Sequence, residues 1–268
     1  MNRITQCFNQ LQQNKKKALV TYIVCGDPNE VATLATMHAM VNAGANIIEV
    51  GVPFSDPMAE GPVIQQGHER ALASGTSLRS ALAVVKKFRQ QDSATPIILM
   101  GYHNPVERMG ANQFATAARD AGVDGVIAVD LPPEEAKDFN TELKHVGIEN
   151  IFLLAPTTTE TRAKHIISLA GGFLYYVSVK GITGAGHLQS QSVNEKLVQL
   201  KKLTKLPICV GFGIKDGESA RAVTEHSEGA VVGSLLVNKM GELKDADVET
   251  IAKAVADLVA PIRQKLNE

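Results

Sequence analysis

No apolar run in the 268-residue chain reaches 18 residues, so no transmembrane helix is expected. Met1–Lys17 also lacks the apolar centre of a secretion signal; it is polar, with Ile4, Phe8 and Leu11 at helical spacing, and reads as a short amphipathic helix. Neither sign of charge is in excess: 27 Lys and Arg against 28 Asp and Glu leave a net charge of −1, which favours neither nucleic acid nor an anionic membrane as partner. Only three cysteines occur, Cys7, Cys25 and Cys209, with no CxxC spacing. A disulfide framework and a zinc site are therefore not expected, and a reducing cytoplasm is the natural setting. Cys25 and Cys209 fall in apolar runs and read as core residues rather than nucleophiles. The seven histidines are scattered without HExxH, so metal ligation has no support. No Ser/Gly/Pro-rich linker and no shift of composition divides the chain, and residues 1–268 read as one domain.

What is present is a regular alternation. Eight short runs rich in Val, Ile and Leu stand at Ala18–Cys25, Ile47–Val52, Ile97–Tyr102, Gly125–Asp130, Ile151–Ala155, Phe173–Val179, Leu206–Gly213 and Gly229–Val237. They lack polar alternation, as strands buried on both faces do. Longer stretches of helical period separate them: Val31–Ala43 (with Leu34, Met37, His38 and Val41 on one face), Ser77–Phe88, Glu134–His145, Thr159–Ala170, Val193–Leu203, Glu218–His226 and Val248–Leu266. Asn104–Ala121 supplies a further crossover, its helix starting near Ala111. Such a chain forms either a closed barrel or an open doubly wound sheet. Length and evenness favour the (β/α)₈ barrel with an additional N-terminal helix. The connections Pro53–Pro62 and Lys180–Val193 are rich in Gly, Ser and Pro, and loops that follow barrel strands build active sites.

Glu49 sits inside the second run, between apolar residues. Burial there would raise its pKa toward neutrality, as a general acid/base requires; a structural glutamate bonded to the backbone is the alternative. Asp56 and Glu60 follow on the next loop and either complete a carboxylate pair or are solvated loop acids. Glycine-bearing turns recur at Gly181–Gly186, Gly211–Gly213 and Gly233-Ser234. They suit a phosphate site after the last strands, or are only tight turns. Lys180, at the end of the sixth run, is either a Schiff-base lysine or a solvated charge.

The stretch from Ile48 to Gln65, IEVGVPFSDPMAEGPVIQ, resembles the signature of the tryptophan synthase alpha subunits. The resemblance extends over nearly the whole chain, through Gly26-Asp27-Pro28, Met100–Pro105, Val129–Pro132, Ala155–Thr158, Tyr175–Gly184, Gly211–Gly213 and Gly233-Ser234. It implies retro-aldol cleavage of indole-3-glycerol phosphate to indole and glyceraldehyde 3-phosphate. On that likeness Glu49 protonates the indole ring carbon and removes the glycerol hydroxyl proton, so that the bond breaks without metal or lysine. The family's second carboxylate, an aspartate holding the indole N–H, is matched here by Glu60, one methylene or about 1.5 Å longer. The resemblance makes Tyr22, Met100, Ile127, Leu153, Tyr175 and Phe212 pocket residues, with Tyr22 and Met100 departing from the Phe and Leu of the family. Thr183 would meet the second carboxylate, and Gly184, Gly213, Gly233 and Ser234 would bind phosphate.

The same likeness implies a partner, a beta subunit holding pyridoxal phosphate in an α₂β₂ complex, while this chain holds no cofactor of its own. Pro53, Asp56 and Pro132 fall on the matching contact loops. Two other readings stay open on the residues alone: a Schiff-base aldolase using Lys180, and a regulatory subunit that kept the phosphate site but lost its chemistry through Glu60.

Overall fold

A computed structural model describes residues 2–177, 186–211 and 213–268. Its strands are β1 (Ala18–Val24), β2 (Ile47–Gly51), β3 (Ile97–Gly101), β4 (Gly125–Ala128), β5 (Glu149–Asn150), β6 (Phe152–Leu154), β7 (Leu174–Val177), β8 (Ile208–Gly211) and β9 (Gly229–Val232). All are parallel and run in the order β5-β4-β3-β2-β1-β9-β8-β7-β6. The two ends of that order are halves of one strand. β5 pairs with β4 and β6 with β7, and between them the Ile151 N–H donates to the Val126 carbonyl at 2.9 Å. The sheet therefore closes on itself as an eight-stranded barrel.

The helices are α1 (Arg3–Gln13), α2 (Glu30–Asn42), α3 (Pro62–Ala73), α4 (Leu78–Phe88), α5 (His103–Met109), α6 (Ala111–Ala121), α7 (Lys137–His145), α8 (Glu160–Leu169), α9 (Gly186–Leu203), α10 (Gly217–Thr224), α11 (Ser234–Glu242) and α12 (Val248–Leu266). Side-chain caps start many of them: Asn29, Ser77, Thr159, Asp216 and Asp247 each accept a backbone N–H of the first turn. None of the described helices is long and apolar enough to cross a membrane.

Two packed layers result. Outward-facing strand residues such as Leu19, Ile23, Ile48, Val50 and Leu99 pack under the helices. Inward-facing ones, including Val20, Ile47, Ile98, Ile127, Phe173 and Cys209, fill the lumen. The N-terminal helix closes the lower end, where Ile4, Phe8 and Leu11 join that inner cluster. Asn2 and Arg3 fasten it by donating to the Asp124 carbonyl (3.0 Å) and carboxylate (2.9 Å). Gly125 opens β4 because a Cβ there would stand 2.9 Å from Ile151 and 3.0 Å from Ile4.

The structure corrects several boundaries. The apolar run ending at Val237 holds two elements: β9 stops at Val232, Gly233 is the N-cap, and Ser234 begins α11, which buries Leu236, Val237 and Met240. Asn104–Ala121 likewise holds two helices, separated at Gly110 with φ +89°. Helix α7 starts at Lys137, three residues later than Glu134, because the Pro132 and Pro133 carbonyls first close turns to Glu135 and Ala136. Helix α9 begins at Gly186, earlier than Val193. In α2 the buried stripe is Ala32, Thr33, Thr36, Met37 and Met40, while Leu34 and Val41 are only half-buried. Apolar residues surround that helix, so sequence periodicity marks no single face. Cys25 and Cys209 are fully buried as expected, and burial pushes both thiols up, Cys25 to about 12.

Candidate active site

The C-terminal end of the barrel collects the candidate residues. In register, Tyr22 of β1 lies beside Glu49 of β2, and Glu49 beside Ile98 of β3. One step further up, Met100 pairs with Ile127, and across the barrel Leu153 pairs with Tyr175. Register partners in a parallel sheet share a face, so these side chains all enter the lumen. Met100, Ile127, Leu153 and Tyr175 belong to its apolar cluster, and Tyr22 touches the cluster's edge through Met100. Two glycines make room for the phenols. A Cβ at Gly51 would stand 2.4 Å from the Tyr22 hydroxyl, and one at Gly211 would stand 2.2 Å from that of Tyr175.

Glu49 is fully buried, and neither of its carboxylate oxygens has a hydrogen-bond partner among the described residues. The structural alternative, a glutamate satisfying backbone groups, does not fit that isolation. Burial, reinforced by the negative charge of Glu60, pushes its pKa up to about 8. Glu60 follows on the loop after β2 and is half-buried; burial raises its pKa to about 7. Its charge acts on Glu49, Tyr22, Tyr102 and Tyr175, so the loop has carried it over the lumen.

The loop itself is held by groups that sequence reading left unassigned. The Tyr102 hydroxyl accepts from the Ala59 N–H at 2.9 Å, and its ring stacks on Phe54 at 5.0 Å. The Phe54 N–H donates to Nδ1 of His68 at 3.0 Å. On helix α3, Arg70 donates both arms to buried Asp27 at 2.7 and 2.8 Å. Burial outweighs the arginine's pull, and the Asp27 pKa is raised. Arg70→Ala would strand that carboxylate and is expected to cost about 3 kcal/mol, read as a fall in Tm of roughly 6–10 °C in thermal denaturation.

Gly213 follows β8 with φ +73°, a conformation that favours glycine, and Gly233-Ser234 opens α11 beside it on the next strand. Thr183, Gly184, Phe212 and Lys180 lie outside the described residues. Of the residues matched to a partner surface, Asp56 is exposed and takes the Ser55 hydroxyl at 2.5 Å, Pro132 is half-buried, and Pro53 is buried. Met58, on the same loop as Asp56, is 85% exposed. Among the described residues no group of His, Cys, Asp and Glu is arranged to hold a metal ion.

A closed (β/α)₈ barrel with two carboxyl groups raised toward neutrality above an apolar lumen has the build of an acid–base barrel enzyme. The sequence model of the tryptophan synthase alpha chain matches residues 8–266, and the chain belongs to that family. The alpha chain of Thioalkalivibrio sulfidiphilus is 52% identical over 267 residues, covering 100% of both chains. That of Paraburkholderia phymatum is 50% identical, covering 100% of this chain and 97% of its own. Among solved structures, the alpha subunit of Legionella pneumophila superposes with a TM-score of 0.91 at 42% identity, covering 99% of this chain and 98% of that one. A chain of the tryptophan synthase α₂β₂ complex of Pyrococcus furiosus superposes at 0.85 with 38% identity, covering 92% and 98%. The family supplies the indole-3-glycerol phosphate lyase component of tryptophan synthase, a carbon–carbon lyase.

Proposed function

We propose that Glu49 and Glu60 carry the family's reaction in this chain, the cleavage of indole-3-glycerol phosphate to indole and glyceraldehyde 3-phosphate. The observation that carries this reading is Glu49, buried at the mouth of an apolar lumen with both oxygens unpartnered among the described residues. With its pKa near 8 it holds a proton at neutral pH and gives it to the indole ring carbon that bears the glycerol chain. The ring nitrogen then carries positive charge, which the Glu60 carboxylate stabilises by accepting the N–H. The Glu49 carboxylate next takes the proton of the adjacent glycerol hydroxyl. As that oxygen becomes the aldehyde, the carbon–carbon bond breaks and its electrons restore the aromatic indole. One proton goes in and one comes out, so Glu49 ends as it began.

Tyr22, Met100, Ile127, Leu153 and Tyr175 supply the apolar walls for the indole, to which the matched Phe212 adds. The backbone N–H groups at Gly213, Gly233 and Ser234, with Gly184, take the phosphate. The family resemblance assigns Thr183, which lies outside the described residues, to Glu60. Gly213→Ala is expected to raise KM for the substrate about tenfold with kcat nearly unchanged, the loss of one hydrogen bond of about 1.4 kcal/mol; steady-state kinetics check this.

The chain carries no cofactor of its own and pairs with a beta subunit holding pyridoxal phosphate, in an α₂β₂ assembly. Asp56, Pro132 and Pro53 contribute to that interface from the loops after β2 and β4, and the exposed Met58 side chain suits it. A cytoplasmic setting follows for a biosynthetic enzyme of this kind. Incubation of the purified chain with indole-3-glycerol phosphate should yield indole and glyceraldehyde 3-phosphate in equal amounts. Borohydride added during turnover should leave the protein mass unchanged. A trapped adduct would instead favour a Schiff-base aldolase using Lys180.

A further inference from the structure

Helix α3 brings one more side chain to the site. His68 is 2% exposed and lies between the loop that carries Glu60 and the phenol of Tyr22. Its Nδ1 accepts the Phe54 N–H at 3.0 Å, and its Nε2 stands 3.5 Å from the Tyr22 hydroxyl. A neutral imidazole has one donor and one acceptor. Because Nδ1 accepts, the proton sits on Nε2 and faces the Tyr22 oxygen. That leaves the phenolic hydrogen of Tyr22 free to turn toward the carboxyl end of the lumen, where Glu49 is its register neighbour. The helix can approach this closely because it has glycine at position 67, where a Cβ would meet Val237 at 2.8 Å and Val24 at 3.1 Å.

We infer that His68 is a positioning residue of the lyase reaction, which fixes the Glu60 loop through Phe54 and the Tyr22 hydroxyl through Nε2. The inference rests on the assignment of Glu60 as the group that holds the indole N–H. It also accounts for three residues together: a second carboxylate one methylene longer than the family's, a tyrosine at position 22, and a histidine that touches both the loop and the tyrosine. A longer carboxylate needs a more firmly placed loop, since a displacement of about 1 Å at a reacting group costs roughly 10²-fold in rate. Burial keeps His68 neutral, its pKa lowered to about 4, so the arrangement holds over the working range.

The test is steady-state indole release by the full chain and its His68 variants, measured as a function of pH. His68→Ala is expected to lower kcat about 10- to 100-fold with a smaller change in KM. It should also move the acidic limb of the kcat/KM profile downward. Glu60 is raised to about 7 by burial, and the groups facing it are Glu49 from β2, Tyr22 from β1, Tyr175 from β7 and Tyr102 after β3. A loosened loop hydrates Glu60, and its pKa falls toward the ordinary 4.5. His68→Asn places an oxygen where Nδ1 was and should restore most of the rate and the limb; His68→Gln, which reaches only the Nε2 position, should not. If His68→Ala does not fold, the Asn and Gln variants decide the matter by the same two readouts. A His68→Ala rate within twofold of the parent, or a loss of rate with an unmoved acidic limb and no rescue by Asn, overturns the inference while the lyase reading stands. Failure of the lyase reading shows separately, as absence of indole release from the parent chain.

Discussion

Replacing Glu49 by glutamine should reduce indole release by about 10³- to 10⁴-fold while making the folded chain more stable at pH 8. The two effects have one cause. The unfolded glutamate ionises near 4.5, whereas in the barrel burial holds its pKa near 8. As pH rises from about 4.5 the unfolded state gains the freedom to ionise and the folded state does not. The folded state is therefore penalised progressively, and the penalty is complete above about pH 8. Glutamine never ionises, so it removes that penalty, worth of order 3 kcal/mol at pH 8 after allowance for its own buried amide. Chemical denaturation at pH 8 and at pH 4.5 checks the sign: the gain should be present at the first and absent at the second, where only the cost of the buried amide remains. A chain that keeps a group unsolvated for chemistry gives up stability to do so, and a catalytically dead but stabilised variant is what that account requires.

The second large effect is expected at Glu60. Glu60→Gln keeps the size and loses the charge that balances the ring nitrogen, and kcat should fall roughly 10²-fold. Glu60→Asp keeps the charge but draws it back by about 1.5 Å on a loop held by Tyr102, His68 and the Phe54 stack, and a loss of roughly tenfold is expected. The parent should show a bell-shaped kcat/KM profile, which reports the free chain. Its acidic limb reports Glu60 losing its proton near 7 and its basic limb Glu49 losing its proton near 8, as apparent values of a coupled pair. In Glu60→Gln the acidic limb should disappear. An aspartate variant faster than the parent would show that the loop is not set for the longer side chain.

Much of this was legible in the sequence, for identifiable reasons. Strands buried on both faces leave short unbroken apolar runs, and each of the eight runs contains barrel strand. The reading failed where an apolar run was not a strand. Leu235, Leu236 and Val237 look like a continuation of β9, but Gly233 turns the chain into α11. Short runs of this kind carry no periodicity to separate helix from strand. Helix α3 is hard to see in the sequence because the Pro/Gly-rich loop before it masks its start at Pro62, although proline at a first helical position is a start signal. Its helical register is what places His68 beneath Phe54, so the missed helix and the missed positioning residue are one omission. Glu49 was recognisable as a carboxylate among apolar neighbours. That both its oxygens are unpartnered among the described residues was not, since pairing is a property of the closed barrel. Tyr102 stands inside the Met100–Pro105 stretch but gains its part only when the loop after β2 folds back onto it.

The most direct test of the central claim is the rate of indole release from indole-3-glycerol phosphate by the purified chain, measured alone and with a cognate beta subunit. The account predicts slow release by the chain alone, accelerated when the partner is added. No release under either condition, from a chain shown to be folded, would contradict it.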